Sequence, residues 1–263
     1  MSELCRMVNV NGGLTKDAIS VLKTKGTDTI VSSIVLSDGI YDRAEALTTL
    51  GSDVHSLGLK WCVNLELADL FKKIMSEVGS ENRMFVRKAE RTCFENIHKL
   101  FTKLNETDAA PDFVQIAISE FSNFKGLSFS FEEQTRMINA MINAAKAACP
   151  AGKIILSSED STDNEKAKKW YNRFQVSGGK PFDIISLKYK LDAETLYDLS
   201  CNMSDLSRRF NADILIDISS EEDPYSANID LSDVDSAINL VPLKRGFGTV
   251  YSDMVLSKAN LVA

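Results

Sequence analysis

The protein has 263 residues, of which 44% are hydrophobic and 25% are charged, with only 13 glycines and 5 prolines. This composition is typical of a globular protein and excludes the collagen-like, low-complexity and disordered classes. The 37 acidic residues outnumber the 30 basic ones, which argues against nucleic acid as a partner because binding to phosphates depends on Lys and Arg.

Eight short apolar runs follow one another along the chain, and a longer segment of mostly helical character separates each from the next. Several runs are apolar without alternation, as in Ile214-Leu215-Ile216, which is typical of strands covered on both faces. We predict strands at Met7–Val10, Thr29–Val35, Lys60–Leu65, Phe113–Ile118, Lys153–Leu156, Asp183–Leu187, Asp213–Ile216 and Gly248–Tyr251.

The intervening segments have the features of amphipathic helices. Apolar residues recur at helical spacing over residues 86–104, 138–148 and 196–210. Ser130 with Glu133, and Thr162 with Glu165, have the spacing of a capping box, in which side chains bind the free amides of a helix start. We therefore predict that helices begin next to Ser130 and Thr162.

Eight strand–helix alternations match a (β/α)8 TIM barrel in length and in count, since such barrels have about 250 residues. A doubly wound open sheet is the alternative, but the first strand runs into Asn9-Val10-Asn11-Gly12-Gly13, which is not the glycine-rich dinucleotide motif. We predict an α/β protein whose residues 1–263 form one barrel domain.

Acidic residues follow the predicted strands, where the functional loops of such a barrel lie. Glu120 and Asp217 stand apart because each directly ends an apolar strand. A retaining glycosidase needs such a pair of carboxyl groups, about 5–5.5 Å apart. For any one acid, a solvated loop is an equally good explanation, and the others are Asp38, Glu66, Glu159, Asp160 and Asp253.

Four segments share their order and spacing with one enzyme family. They are residues 113–120 (FVQIAISE), 182–189 (FDIISLKY), 199–218 (LSCNMSDLSRRFNADILIDI) and 246–253 (GFGTVYSD). They resemble the motifs VQIGNE, FDVIGLSYY, V-V-E-T and G-x-G-x-x-Y-W-E of glycoside hydrolase family 53, the endo-β-1,4-galactanases. The resemblance implies that Glu120 is the general acid/base and Asp217 the nucleophile. It also implies that Ser119, Tyr189 and Asp253 stand at substrate-binding positions.

Most residues that carry the chemistry of this family are replaced. Ser119 stands for the Asn that binds the sugar 2-hydroxyl, and Ser252 for a Trp that stacks on sugar rings. Asp217 is one methylene shorter than the nucleophilic Glu, which can cost on the order of 100-fold in rate because attack geometry is tight. The arginines of strand two are missing, and residues 64–67 (NLEL) replace His-Tyr-Ser-Asp.

Two functions remain open at this stage. The first is a non-catalytic binding or structural module with a degenerate active site. Its contacts would be with protein partners, through the outer helices and the long connection at residues 66–111, in a larger assembly such as a phage tail or injection particle. The second is an active retaining hydrolase of a galactan-type polysaccharide, with a glycan as its ligand. The replaced residues favour the first.

Other residues indicate no further chemistry. The five cysteines form no CxxC pair and are expected to be reduced and mostly buried. His55 and His98 fall in predicted helices and are expected to be structural, and Asp230, Asp233 and Asp235 lack EF-hand spacing. We expect no metal and no other cofactor. Without a secretory signal or an apolar run of membrane length, we expect a soluble protein, made in the cytoplasm and released, if at all, within a particle.

Overall fold

The strands form a closed barrel, in which each strand is hydrogen-bonded in parallel to its neighbours in sequence and β8 pairs with β1. The computed structural model describes residues 4–10, 14–37, 43–79, 82–121, 128–159, 161–218 and 231–252. Closure confirms the predicted (β/α)8 barrel and excludes the open sheet. The strands are β1 (Cys5–Val10), β2 (Thr29–Val35), β3 (Lys60–Glu66), β4 (Phe113–Ala117), β5 (Lys153–Ser158), β6 (Ile184–Lys188), β7 (Asp213–Asp217) and β8 (Gly246–Ser252).

Helices connect the strands and pack their apolar faces on the outside of the barrel. The connection between β3 and β4 holds two of them, which accounts for its length. Within the described residues the α-helices are α1 (Lys16–Thr24), α2 (Ala44–Ser56), α3 (Ala68–Val78), α4 (Asn82–Asn105), α5 (Phe131–Ala148), α6 (Asn164–Val176), α7 (Leu196–Phe210) and α8 (Leu231–Asn239). None of these helices is long and apolar enough to cross a membrane.

The two predicted capping boxes have different outcomes. At α5 the Ser130 hydroxyl accepts from the Glu133 amide at 3.2 Å, and the Glu133 carboxylate accepts from the Ser130 amide at 2.8 Å, so the prediction is confirmed. At α6 the prediction is wrong, because Asp163 is the cap and accepts from the Lys166 amide at 2.9 Å. The helix therefore begins one residue later than a Thr162 cap would place it.

The interior of the barrel, its lumen, is apolar at one end and polar at the other. A cluster with one inward side chain from each strand fills the end nearest the strand starts: Met7, Val31, Cys62, Phe113, Ile155, Ile184, Leu215 and Val250. Because side chains alternate along a strand, the residue two positions further on also faces inward. Those positions carry Asn9, Ser33, Asn64, Gln115, Ser157, Ser186 and Asp217, which we call the upper lumen.

Candidate functional site

The carboxyl ends of the eight strands form the mouth of the barrel, directly above the upper lumen. Asp217 is the last residue of β7 and is only 5% exposed. Glu120 lies in the 3-10 turn Ile118–Phe121 that follows β4, so both predicted catalytic residues lie at or just after the carboxyl end of a strand. The side chains of Ser119 and Glu120 are outside the part that the structure describes, as are residues Asp38, Asp160 and Asp253.

A lysine stands beside Asp217. Lys188, the last residue of β6, is the register partner of Asp217 on the neighbouring strand, and register partners in a parallel sheet face the same side. The Lys188 Nζ lies 3.7 Å from Oε1 of Glu159, the residue that follows β5. Sequence reasoning missed this cation, although the family motif FDVIGLSYY has Ser where this chain has Lys188. A charged residue at the end of an apolar strand was the available signal.

Tyr189 faces away from the lumen, because it follows the inward-facing Lys188 on the chain. It is 1% exposed, and its hydroxyl donates to the carbonyl oxygen of Asp192 at 2.5 Å. The same hydroxyl accepts from the Asp192 amide at 3.4 Å. These contacts hold the connection between β6 and α7 in place. A contact of Tyr189 with substrate stays a prediction.

The upper lumen contains buried oxygen atoms that lack partners. The Asn64 side-chain amide donates to Ser33 Oγ at 3.1 Å. Among the described residues, no group forms a hydrogen bond with Asn9 Oδ1, Asn64 Oδ1, Gln115 Oε1 or Ser186 Oγ. Sequence reasoning missed this layer, although a polar residue two positions after an apolar one recurs from strand to strand.

Burial in the lumen determines the ionisation of the Cys62 thiol. Burial raises the pKa of the Cys62 thiol well above its ordinary value, and the nearby carboxylate of Asp217 raises it further by like-charge repulsion. The lumen is thus a poor environment for a thiolate, and Cys62 packs as an apolar side chain. Across the described ranges, no three His, Cys, Asp or Glu side chains are grouped so that they could hold a metal ion.

His55 and His98 lie in α2 and α4, as predicted, and Trp61 lies near the start of β3. His55 in α2 places Nε2 3.1 Å from Oδ2 of Asp112, which precedes β4 at the opposite end of the barrel. His98 stacks on Phe94, with ring centroids 5.5 Å apart. Trp61 is fully buried and donates its indole N–H to Ser32 Oγ at 2.8 Å. Each of these residues has a structural role.

Comparison with known proteins identifies the family of the barrel. The model of glycosyl hydrolase family 53 matches residues 3–253. A GH53 catalytic domain from Ignisphaera aggregans is similar with a TM-score of 0.72 and 14% identity, covering 94% of this chain and 79% of that chain. A search of curated proteins found no match.

Two other solved structures share the fold at lower similarity. An endo-1,4-β-mannanase from Eisenia fetida has a TM-score of 0.61 and 11% identity, covering 90% of this chain and 76% of that one. A D-psicose 3-epimerase from Clostridium cellulolyticum H10 has a TM-score of 0.59 and 10% identity, covering 95% and 84%. Because a hydrolase and an epimerase both match, these likenesses show the barrel and not its chemistry.

Proposed function

We propose that this protein, which belongs to glycosyl hydrolase family 53, has lost the hydrolytic activity of that family and serves as a non-catalytic binding or structural module. Two acidic residues, Glu120 and Asp217, stand at strand ends, but the sequence around them departs from the family motifs. The supporting observations come from β4, β6 and β7.

The spacing of residues after β4 carries the proposal. In the family motif VQIGNE the glutamate comes four residues after the glutamine. In this chain Ser119 comes four residues after Gln115, and Glu120 comes five residues after it. Since β4 ends at Ala117 and a 3-10 turn begins at Ile118, Glu120 is displaced by one residue relative to the inward-facing Gln115. This departure from the spacing of the family motif supports the loss of the acid/base role.

The surroundings of Asp217 also support the proposal. A nucleophilic carboxylate must reach the sugar carbon, and aspartate is one methylene shorter than the glutamate of the family. Asp217 is only 5% exposed, so its carboxylate is buried inside the barrel and is not open to solvent at the mouth. Its register partner Lys188 brings a positive charge to the same face of the sheet, at a position where the family motif has a serine.

A reducing-sugar assay on β-1,4-galactan and a panel of aryl β-glycosides tests the loss of hydrolysis. We expect no release of sugar by the wild-type protein above that of Glu120→Gln. Robust release by the wild type that Glu120→Gln abolishes would overturn the proposal.

An active retaining hydrolase is the second candidate, because Glu120 and Asp217 both follow strand carboxyl ends, on β4 and β7. In that case Glu120 would protonate the leaving oxygen and Asp217 would form the glycosyl intermediate. Asp217→Glu would then raise the rate, since the longer side chain restores the reach of the family residue.

The surface that would bind a protein partner is the outer helical layer. In the long β3–β4 connection, α4 exposes Met84 (50%) and Phe94 (38%) among the exposed arginines Arg83, Arg87 and Arg91. Apolar and Arg residues together are typical of interface cores. A larger assembly, such as an injection particle, is therefore the context we propose.

Tight binding of a galacto-oligosaccharide in the mouth, lost in Glu120→Ala on a glycan array, would instead indicate a surviving sugar site.

A further inference from the structure

The unpartnered oxygen atoms of the upper lumen require an explanation that the proposed function does not supply. More than nine in ten buried polar groups in proteins have a hydrogen-bond partner. Here Gln115 is 6% exposed and Ser186 is fully buried, and Gln115 Oε1 and Ser186 Oγ have no partner among the described groups. The same holds for Asn9 Oδ1 and Asn64 Oδ1. Leaving such an atom unsatisfied costs about 1–3 kcal/mol.

These residues occupy neighbouring positions on the inner face of the barrel. Asn64 and Gln115 are register partners on β3 and β4, and Ser157 and Ser186 are partners on β5 and β6, with strands about 4.8 Å apart. Each layer of a TIM barrel takes side chains from alternate strands. The odd strands therefore contribute Asn9, Asn64, Ser157 and Asp217 to one layer, and Gln115 and Ser186 belong to the layer below it.

The chemistry of this set is uniform. Each of the four unpartnered atoms of the upper lumen is an oxygen. Asn64 already uses its amide N–H on Ser33, which leaves its carbonyl oxygen as the unsatisfied group. Asp217 adds a carboxylate to the same layer. Amide carbonyl, hydroxyl and carboxylate oxygens are the ligands that hard cations take in proteins.

We propose that the upper lumen binds a hard, oxygen-ligated cation, with Asn9, Asn64, Gln115, Ser186 and Asp217 as its ligands. The unpartnered atoms have almost no exposed surface, which favours a small ligand over a sugar ring. A dehydrated sodium or calcium ion is smaller than a water molecule and contacts oxygens at about 2.3–2.6 Å. Both ions use this oxygen chemistry.

Thermal unfolding in matched salts tests the proposal and separates the two ions. Protein treated with EDTA is dialysed into choline chloride, and its Tm is compared with the Tm in NaCl of equal ionic strength and in choline chloride with millimolar CaCl2. We expect a saturable rise in Tm with one of the two cations over choline, because a ligand that binds only the folded state stabilises it by mass action. An equal Tm in all three salts would overturn the proposal.

Matched variants locate the effect. Ser186→Ala and Gln115→Leu are expected to abolish the cation-dependent rise in Tm. Ser207→Ala is the control, because Ser207 on α7 is also fully buried with an unpartnered hydroxyl but lies outside the lumen, and this variant should keep the rise. A rise that survives unchanged in Ser186→Ala would contradict the proposal. If Gln115→Leu fails to fold, the comparison of Ser186→Ala with Ser207→Ala decides.

Discussion

Burial separates the five thiols of this protein by reactivity. It raises the pKa of Cys93 to about 12 and that of Cys149 to about 11, and it raises the pKa of the half-buried Cys5 as well. Cys201 on α7 is exposed. Because the thiolate is the reactive form, access and ionisation both protect the buried cysteines.

We therefore expect one rapid thiol equivalent when the native protein meets a disulfide reagent at pH 8. Cys201→Ser should remove that equivalent, and unfolding in guanidinium should expose the remaining four. Rapid reaction of even one equivalent in the folded Cys201→Ser protein would contradict the burial pattern.

The carboxyl of Asp235 is a second residue-level case, in which the stability of the fold depends on pH. Burial raises its pKa, although the Thr249 hydroxyl, 3.3 Å from Oδ1, and Arg6 oppose the shift. A pKa raised by folding means that the protonated form favours the folded state, so this stabilisation is present at low pH and is lost as pH rises through the folded pKa.

Asp235→Asn should therefore raise Tm at pH 7, because the amide keeps an acceptor for Thr249 without a buried charge. The gain should shrink as the pH is lowered through the raised pKa of the folded carboxyl, because the wild-type side chain is then protonated as well. Asp233→Asn, at an exposed position of the same helix, is the control. A gain in Tm that is independent of pH would contradict this account.

At the scale of the element, the helix caps show what periodicity can and cannot predict. Ser130 and Glu133 satisfy the free amides of α5 as their spacing predicts, whereas α6 is capped by Asp163 and not by Thr162. Both residue types are good helix caps. Which of two adjacent candidates becomes the cap depends on the backbone path of the preceding loop. That loop geometry depends on tertiary contacts, which a local motif does not contain.

Ser130→Ala and Asp163→Ala should each lower the free energy of unfolding by about 1 kcal/mol. Thr162→Ala should change it by less than about 0.5 kcal/mol, the range of ordinary surface substitutions. Urea denaturation measures all three. A larger loss in Thr162→Ala than in Asp163→Ala would show that the cap is assigned to the wrong residue.

At the scale of the whole molecule, the barrel depends on the seam where β8 meets β1. Gly248 pairs with Cys5 across that seam, and a Cβ atom at Gly248 would lie 1.9 Å from the backbone oxygen of Cys5. The glycines of the closing G-x-G segment are thus explained by close approach of backbones.

Gly248→Ala should destabilise the fold by ~3 kcal/mol or more, because neither backbone can move without opening the barrel. Gly178→Ala is the comparison, since it has positive φ but no atom within 4 Å of the added Cβ. It should cost only about 1–2 kcal/mol. Equal losses in the two variants would contradict a seam held by close packing.

Sequence periodicity predicted the barrel well because each strand is a compact apolar run and each helix has one buried stripe. It predicted the site less well. The turn that contains Glu120 begins where β4 ends, and the place of Lys188 beside Asp217 depends on the register between β6 and β7. Register is a long-range property, so neither followed from local pattern.

The most direct test of the central claim is a stoichiometric incubation of the protein with a β-1,4-linked galacto-oligosaccharide, followed by mass spectrometry of the sugar. At equal concentrations of protein and sugar, even a single turnover produces shorter fragments. We predict that the oligosaccharide stays intact with the wild type as it does with Glu120→Gln. Fragments formed by the wild type and absent with Glu120→Gln would contradict the loss of hydrolysis.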